Sequence, residues 1–214
     1  MAEVNAKLVK ELRDRSGAGF MECKKALEEA NGDLAQAELV LRKRGISVAQ
    51  KKAGRAANEG LVSAYIHPGG KLGVLVEVNC ESDFVARTDD FQQLVKDIAM
   101  HIAAADPQYI RREEVDQTAL DKERDVQRAR ALNEGKPEKV VDKIVEGRMG
   151  KFYEEVVLLE QPFVKDNSLT IQELITQAVA KMGENITVSR MARFKVGEAA
   201  AGDEPAAEPA AVAS

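Results

Sequence analysis

The sequence predicts an α+β fold: a three-helix domain at the N-terminus, then a small three-stranded antiparallel sheet packed with helices and carrying a helical hairpin insertion. Three patterns lead to this prediction. Apolar residues recur at helical spacing through residues 3–54. They recur at every second position, the period of a strand, on both sides of Pro68-Gly69-Gly70. A last alternating segment, residues 185–197, can pair with this hairpin and complete the sheet.

The N-terminal domain is predicted over residues 1–53 and contains three helices. Breaks at residues 16–19 and at Asn31-Gly32 separate the three apolar stripes. Asp33, followed by Gln36 three residues later, is typical of a helix N-terminus. Helices of this length bury little apolar area, so we expect this domain to be only marginally stable by itself.

The sheet belongs to a core domain predicted over residues 54–198. Residues 61–67 and 71–79 form its hairpin and are rich in the β-branched residues that strands favour. We expect the third strand to carry its apolar side chains on one face, with Arg190 as the exception. The apolar residues assigned to that face are Ile186, Val188, Ala192, Phe194 and Val196.

Helices account for the rest of the core. Thr88 is expected to cap a helix that ends before Pro107, and residues 170–182 form another. Between them lies the insertion, at about residues 108–160, in which a strongly charged helix is followed by a second helix that begins near Pro137. This order predicts a helical hairpin.

The two ends of the chain carry no membrane signal. Residues 1–17 are amphipathic and contain acids, unlike a secretory signal peptide. Residues 199–214 contain one Val as their only large apolar residue, so we expect a disordered tail. No segment approaches the length of about 20 apolar residues that a membrane helix needs. A cytoplasmic protein without a membrane partner is expected.

The charge of the chain disfavours nucleic acid as a partner. The net charge is −5, from 31 Lys and Arg against 36 Asp and Glu, so there is no global attraction for phosphates. Aromatic residues make up only 4% and Trp is absent, which argues against a surface for stacking bases. One alternative stays open: the basic helix end around Arg42–Lys52 could make the protein an RNA-binding module.

Catalysis, metal binding and cofactor binding find no support in the residue pattern. Cys23 and Cys80 form no CxxC pair, and neither has the spacing from His67 or His101 that a zinc site needs. The Gly17-Ala18-Gly19 stretch joins two helices and does not match a phosphate-binding loop. We therefore expect a protein that is not an enzyme, without metal, cofactor or bound nucleotide. A redox enzyme that uses Cys23 or Cys80 is the second rival.

The turn after the second strand is the strongest candidate for a functional site. Its sequence is Ser82-Asp83-Phe84-Val85, which places an acid beside a large aromatic residue between a strand and a helix. Phe84 has two open interpretations. It could be buried beneath the sheet, as Phe usually is. It could instead point outward on a rigid support, as a hot spot for binding another protein does.

Several long segments resemble the translation elongation factor Ts family. They include "LRDRSGAGFMECKKAL" (residues 12–27), "EVNCESDFVAR" (residues 77–87) and "NITVSRMARFKVGE" (residues 185–198). Their order and unusual composition make chance agreement improbable. The resemblance covers nearly all of the chain except the tail. It implies a guanine nucleotide exchange factor for the GTPase elongation factor Tu, which is the expected partner in its GDP-bound form.

The resemblance also implies a role for individual residues. The first three helices would form a domain like the ubiquitin-associated (UBA) domain, which docks on the GTPase. The contact residues carried over to it are Arg13, Phe20 and Met21. The turn would displace Mg²⁺ from the partner through Ser82, Asp83, Phe84 and Val85. Ser16 and Ser82 stand where the family usually has Thr, and Phe20 replaces a commoner Met. A homodimer is one way in which so short a member could reach its partner.

Overall fold

The computed structural model describes residues 5–198 and contains the predicted α+β fold. The predicted disordered tail, residues 199–214, lies outside the described residues. In chain order the elements are α1 (Ala6–Ser16), α2 (Phe20–Glu29), α3 (Leu34–Lys52), β1 (Glu59–Ile66), β2 (Leu72–Cys80), α4 (Asp83–Ala86), α5 (Asp89–Ala105), α6 (Gln117–Asn133), α7 (Glu138–Val156), β3 (Pro162–Phe163), β4 (Asp166–Thr170), α8 (Ile171–Met182) and β5 (Ile186–Lys195). Short 3-10 helices cover Arg112–Glu114 and Leu158–Glu160.

The N-terminal helices begin and end at the break and capping residues that the sequence indicates. Gly17 ends α1 with a left-handed backbone, φ 65°, which glycine adopts without steric penalty. The Asp33 side chain accepts a hydrogen bond from the Gln36 N–H at 2.9 Å and so caps α3. The helices pack around six buried residues: Val9, Leu12, Cys23, Ala26, Leu27 and Ala37.

The sheet is antiparallel throughout, with β2 between β1 and β5. Its inner face is formed largely by alternate residues of β2, from Val74 to Cys80, which are almost fully buried. Helix α5 packs against this face. Its apolar stripe, from Phe91 to Ile102, is buried. Burial of this stripe against the sheet forms the main core of the molecule.

The prediction that β5 has one continuous apolar face is wrong. Ile186 and Val188 are buried, but a β-bulge at Ser189 shifts the register from the Glu77–Arg190 pair to the Val78–Val188 pair. Because strand side chains alternate between faces, one extra residue sends the following side chains to the opposite side. The apolar residues placed on the exposed face as a result are Ala192, Phe194 and Val196.

The predicted helical hairpin is present as α6 and α7. It has a separate apolar cluster, whose buried members include Leu120 and Val145. Helix α7 ends at Val156, and Leu159 belongs to the 3-10 turn that follows it. The two-stranded sheet of β3 and β4 was not predicted. No helix within residues 5–198 combines the length and hydropathy required to span a bilayer.

The N-terminal helices meet the core mainly through α3 and α8. Arg42 of α3 forms an ion pair with Glu173 of α8, and the Lys52 ammonium group donates to the carbonyl oxygen of Gly183. A Cβ at Gly45 would lie 3.4 Å from the Ala180 side chain, so the helices approach closely at this point. The division into domains at residue 53 stays a prediction.

Candidate functional site: the Phe84 turn

A single helical turn, α4, presents Phe84 to solvent. We call residues 82–86 the Phe84 turn. Phe84 is 79% exposed, the highest exposure among the large apolar side chains of residues 5–198. Val85 packs against the main core and Ala86 is buried within it. Because the Phe84 ring is exposed, the interpretation of Phe84 as a buried core residue is wrong for the unbound protein. Val85 and Ala86 make the inward contacts of the turn instead.

Hydrogen bonds fix both ends of α4. The Ser82 hydroxyl oxygen accepts from the Val85 N–H at 3.4 Å and caps the N-terminus. Thr88 donates its hydroxyl proton to the Val85 carbonyl at 2.8 Å and accepts from the Phe91 N–H at 3.2 Å, which begins α5. The turn is thus held between a strand end and a capped helix.

Asp83 is held by an ion pair on the same helical turn. Its carboxylate lies 2.8 Å from the Arg87 guanidinium group, with both side chains largely exposed. Exposed pairs of this kind contribute about 0–1 kcal/mol to stability. The pair therefore orients Asp83 beside Phe84 without anchoring the turn, and both side chains remain accessible to a partner.

The strand pairing below the turn requires a glycine. Gly60 of β1 pairs with Asn79 of β2 and has φ +143°. A Cβ at this position would lie 2.2 Å from the Val78 carbonyl oxygen. Only glycine allows β1 to approach the end of β2 so closely. This close pairing supports the strand from which the Phe84 turn emerges.

The other predicted contact residues form a second surface on the N-terminal helices. Phe20 begins α2 and is 48% exposed, while the adjacent Met21 is 58% exposed. Arg13 is exposed in the last turn of α1. We call these three residues the Phe20 edge. Within residues 5–198, no hydrogen bond or ion pair joins the Phe20 edge to the Phe84 turn, so the structure forms two separate exposed surfaces.

Neither cysteine has the environment of a reactive thiol. Both are buried and free. Burial, and then the negative charge of Glu184, raise the pKa of the Cys80 thiol, which therefore stays neutral. Cys23 donates to the Ala18 carbonyl at 3.6 Å inside the helical bundle. Across residues 5–198, no three His, Cys, Asp or Glu residues are grouped closely enough to hold a metal ion.

The basic cluster of α3 is largely engaged within the protein. Arg42 pairs with Glu173, and Arg44 pairs with both Glu22 and Glu29, at 3.2 and 2.7 Å. Lys52 donates to a backbone carbonyl. These contacts leave less positive charge available for a phosphate backbone than the sequence alone indicates, which weakens the RNA-binding alternative.

Sequence reasoning missed two acids at the base of the turn. Glu81 directly precedes it, and Glu184 lies in the connection between α8 and β5, where its carboxylate accepts hydrogen bonds from the backbone N–H groups of Glu81 and Ser82. The two residues are far apart in the chain, and no periodic pattern relates them. Only the pairing of β2 with β5 brings them together.

Comparison with known proteins identifies the family. The sequence model described as "Elongation factor TS" matches residues 28–198. The chain belongs to the elongation factor Ts family. Elongation factor Ts of Solibacter usitatus is 64% identical over 211 residues, which cover 99% of this chain and 100% of that protein. Elongation factor Ts of Carboxydothermus hydrogenoformans is 58% identical, covering 94% of this chain and 93% of that protein.

Membership in the elongation factor Ts family confirms the resemblance drawn from the sequence motifs. A third relative, from Anaeromyxobacter sp., is 60% identical over 92% of this chain. The protein is thus a translation elongation factor and takes part in protein biosynthesis. The matched region contains the Phe84 turn, whereas Arg13, Phe20 and Met21 precede it and are covered by the match to the Solibacter relative.

Proposed function

We propose that the protein is a guanine nucleotide exchange factor for elongation factor Tu in the cytoplasm. It binds the GDP-bound GTPase, displaces Mg²⁺ and so accelerates the release of GDP. The single observation that supports this most is the exposed Phe84 ring on a turn held at both ends. A rigid, exposed aromatic side chain can enter a partner without first being released from its own core.

The proposed mechanism is a competition between two ligands of the GTPase. Mg²⁺ links the nucleotide phosphates to the GTPase, so its loss leaves their charges poorly compensated and GDP dissociates faster. Ser82, Asp83, Phe84 and Val85 are the residues to which we assign the displacement. By linkage, bound nucleotide must weaken the binding of the exchange factor by the same factor. The protein needs no contact with GDP and catalyses no chemical step.

We assign docking on the GTPase to the Phe20 edge, in a UBA-like domain over residues 1–53. Two adjacent, partly exposed apolar side chains and the exposed Arg13 cation have the composition of a protein-binding surface. In this arrangement the helices bring the protein to its partner and the Phe84 turn acts on the metal. The first surface sets affinity and the second sets the rate of release.

The direct test is stopped-flow release of a fluorescent GDP from purified elongation factor Tu. Increasing concentrations of the protein should raise the release rate to a plateau. Excess Mg²⁺ should oppose the effect. The protein alone should not bind the fluorescent GDP. A release rate that stays at its basal value at saturating protein would overturn the proposed function.

The two rivals predict different results with the same protein. An RNA-binding module would be retained on immobilised RNA, with an affinity that falls steeply as salt rises. A redox enzyme would lose its activity when both cysteines are replaced. Nucleotide exchange predicts neither result, because Arg42, Arg44 and Lys52 of α3 are engaged within the protein and both thiols are buried.

We further propose that the protein forms a homodimer through the outer face of its sheet. This face is apolar and exposed, with Phe194 67% exposed and Val62 and Ile66 similarly accessible. Soluble monomers rarely expose a large contiguous apolar patch, and a two-fold dimer would cover the same patch on both copies.

Sedimentation equilibrium tests the homodimer directly. The wild-type protein should sediment as a dimer, and Phe194→Asp should convert it to a monomer. The matched control is Val126→Asp on the helical hairpin, which introduces the same charge at an exposed apolar residue away from the sheet. A wild-type monomer, or equal effects of the two variants, would contradict the proposal.

A further inference from the structure

Two acids on different segments hold the base of the Phe84 turn. Glu81 follows β2 and Glu184 follows α8, and each carboxylate reaches the backbone of the other segment. Glu184 Oε2 accepts from the N–H groups of Glu81 and Ser82 at 3.1 and 3.0 Å. In return, Glu81 Oε1 accepts from the Asn185 N–H at 2.7 Å. The contacts of Glu81 lower the pKa of its carboxyl, with the Asn185 hydrogen bond as the largest cause.

The Glu184 carboxylate replaces a missing strand partner. The ladder between β2 and β5 ends at the pair of Cys80 and Ile186. The next two N–H groups, of Glu81 and Ser82, have left the sheet but are still partly buried. Such donors need an acceptor, and one carboxylate oxygen serves both. Without this carboxylate, the N–H groups of Glu81 and Ser82 would have no acceptor within residues 5–198, and the backbone between β2 and α4 would no longer be held in one conformation.

Glu184 also determines how Ser82 caps α4. The Ser82 hydroxyl donates its one proton to Glu184 Oε1 at 2.6 Å. Because that proton is committed, the lone pairs of the hydroxyl oxygen are free to accept from the Val85 N–H. A continuous chain of hydrogen bonds thus runs from Glu184 through Ser82 to the helical turn that carries Phe84.

We propose that Glu184 is a positioning residue for nucleotide exchange: it fixes the direction in which the Phe84 turn presents its ring. This inference rests on the proposed function for its effect on rate. The orientation of the ring can also be measured without any partner. Glu184 forms its hydrogen bonds with Glu81 and Ser82, at the base of the turn, and none with Phe84. Removing the Glu184 carboxylate therefore leaves the Phe84 side chain itself unchanged.

The first test uses a reporter in the unbound protein. The chain contains no Trp, so Phe84→Trp introduces a unique indole at the exposed position. Time-resolved fluorescence anisotropy then reports the motion of the turn. Adding Glu184→Ala should increase the amplitude of fast local motion, whereas Glu184→Gln should not. The Gln carbonyl oxygen can accept both N–H groups while its amide donates to Ser82. Unchanged local motion in the Ala variant would overturn the proposal.

The second test measures stimulated GDP release in the natural Phe84 background. Glu184→Ala should lower the plateau rate about tenfold, because the Phe84 ring is no longer held in the orientation that displacement requires. The concentration that gives half-maximal stimulation should stay within about twofold, because the Phe20 edge is untouched. Glu184→Gln should restore the plateau. An Ala variant with a normal plateau and weaker binding would contradict a positioning role.

A matched control separates positioning from general stability. Glu114 makes the same type of contact as Glu184, since its Oε2 accepts from the N–H groups of Ile110 and Arg111 at 2.9 and 3.3 Å. It does not contact the Phe84 turn. Glu114→Ala should therefore lower thermal stability while leaving the plateau rate unchanged. If both Ala variants lower the plateau equally, the effect of Glu184 is one of stability and the proposal fails.

A double-mutant cycle completes the design. If Glu184 acts through the ring, the variant that combines Glu184→Ala with Phe84→Ala should be no slower than Phe84→Ala alone. If the two substitutions lower the plateau rate independently, so that their fold-changes multiply in the double variant, the proposal is overturned. A wild-type protein without any effect on GDP release would refute the exchange function, and the anisotropy result would still decide whether Glu184 positions the turn.

Discussion

The Phe84 turn and the Phe20 edge both expose aromatic side chains, yet they rest on different amounts of buried structure. The turn stands on the main core, which contains 20 buried residues from the sheet, α5, α8 and the adjoining turns. The Phe20 edge belongs to a bundle with six buried residues, of which three are Cys or Ala. A small core cannot hold its surface as firmly as a large one.

The local supports of the two surfaces differ in the same direction. Ser82 and Thr88 cap the turn with their side chains. The N-cap of α2 is Gly19, which makes no side-chain hydrogen bond, so Phe20 begins an uncapped helix. We therefore expect the two surfaces to have different roles in nucleotide exchange. A rigid surface suits the displacement of a metal ion, whereas an adaptable one suits initial docking.

Replacing Phe84 by Ala should have the largest effect on exchange. The plateau rate of stimulated GDP release should fall by about 30-fold or more, as for the truncation of a binding hot spot. The free energy of unfolding should change by less than about 0.5 kcal/mol, because the ring is exposed. Stopped-flow kinetics and urea denaturation measure the two quantities. A normal plateau would remove Phe84 from the mechanism.

Replacing Phe20 and Met21 by Ala together should produce the complementary result. The half-saturating concentration in the same assay should rise about tenfold, since two moderate interface contacts are lost. The plateau rate should stay unchanged because the turn is intact. Val140→Ala, at another exposed apolar position, serves as the control. A lower plateau without a change in half-saturation would mean that the two surfaces do not divide affinity and rate.

Acid should lower the stability of the folded protein through His101. This residue is fully buried in α5, and its ring nitrogens contact the Gln161 side chain at 2.9 Å and the Val164 N–H at 3.3 Å. Nδ1 accepts from the N–H of Val164, so Nε2 carries the proton. Burial lowers the pKa of His101, and the Gln161 hydrogen bond partly offsets this.

The sign of the resulting pH effect follows from linkage. The unfolded chain binds the proton at a pKa of about 6.5, above the folded value, so the free energy of unfolding should fall as pH drops below about 6.5. Urea denaturation from pH 7 to pH 5.5 measures this dependence. His101→Gln should flatten it, with His67→Gln at an exposed site as the control. An unchanged slope would show that another group is responsible.

The cysteines should have the smallest effect on exchange. Cys23→Ala and Cys80→Ala remove a buried thiol from the small bundle and from the main core, respectively. Each should reduce the free energy of unfolding by about 1 kcal/mol, typical of a buried truncation, while the plateau rate stays within about twofold. Thermal denaturation and GDP release measure these quantities. Loss of all activity would instead support the redox rival.

The elements of the fold could be predicted because their signals are local. Asp33 and Thr88 cap helices wherever the chain folds, and the Pro68-Gly69-Gly70 connection indicates a hairpin. The motif around Phe84 likewise pointed to the candidate site. The bulge at Ser189 was not predicted, because Arg190 is the one interruption in the alternation of apolar residues and a single polar residue does not by itself indicate a change of face. Which face is buried depends on pairing with β2, and no residue in β5 encodes that alone.

The sequence by itself determined the fold class, the order of the longer helices and of the three main strands, and the family of this protein. The tertiary structure decided which apolar residues point outward: Phe84 and Phe194 are exposed, and His101 is buried. It also placed Glu184 against a turn about one hundred residues earlier in the chain. The physical reason is that periodicity and capping act over a few residues, whereas burial and hydrogen bonding between distant segments exist only once those segments have packed.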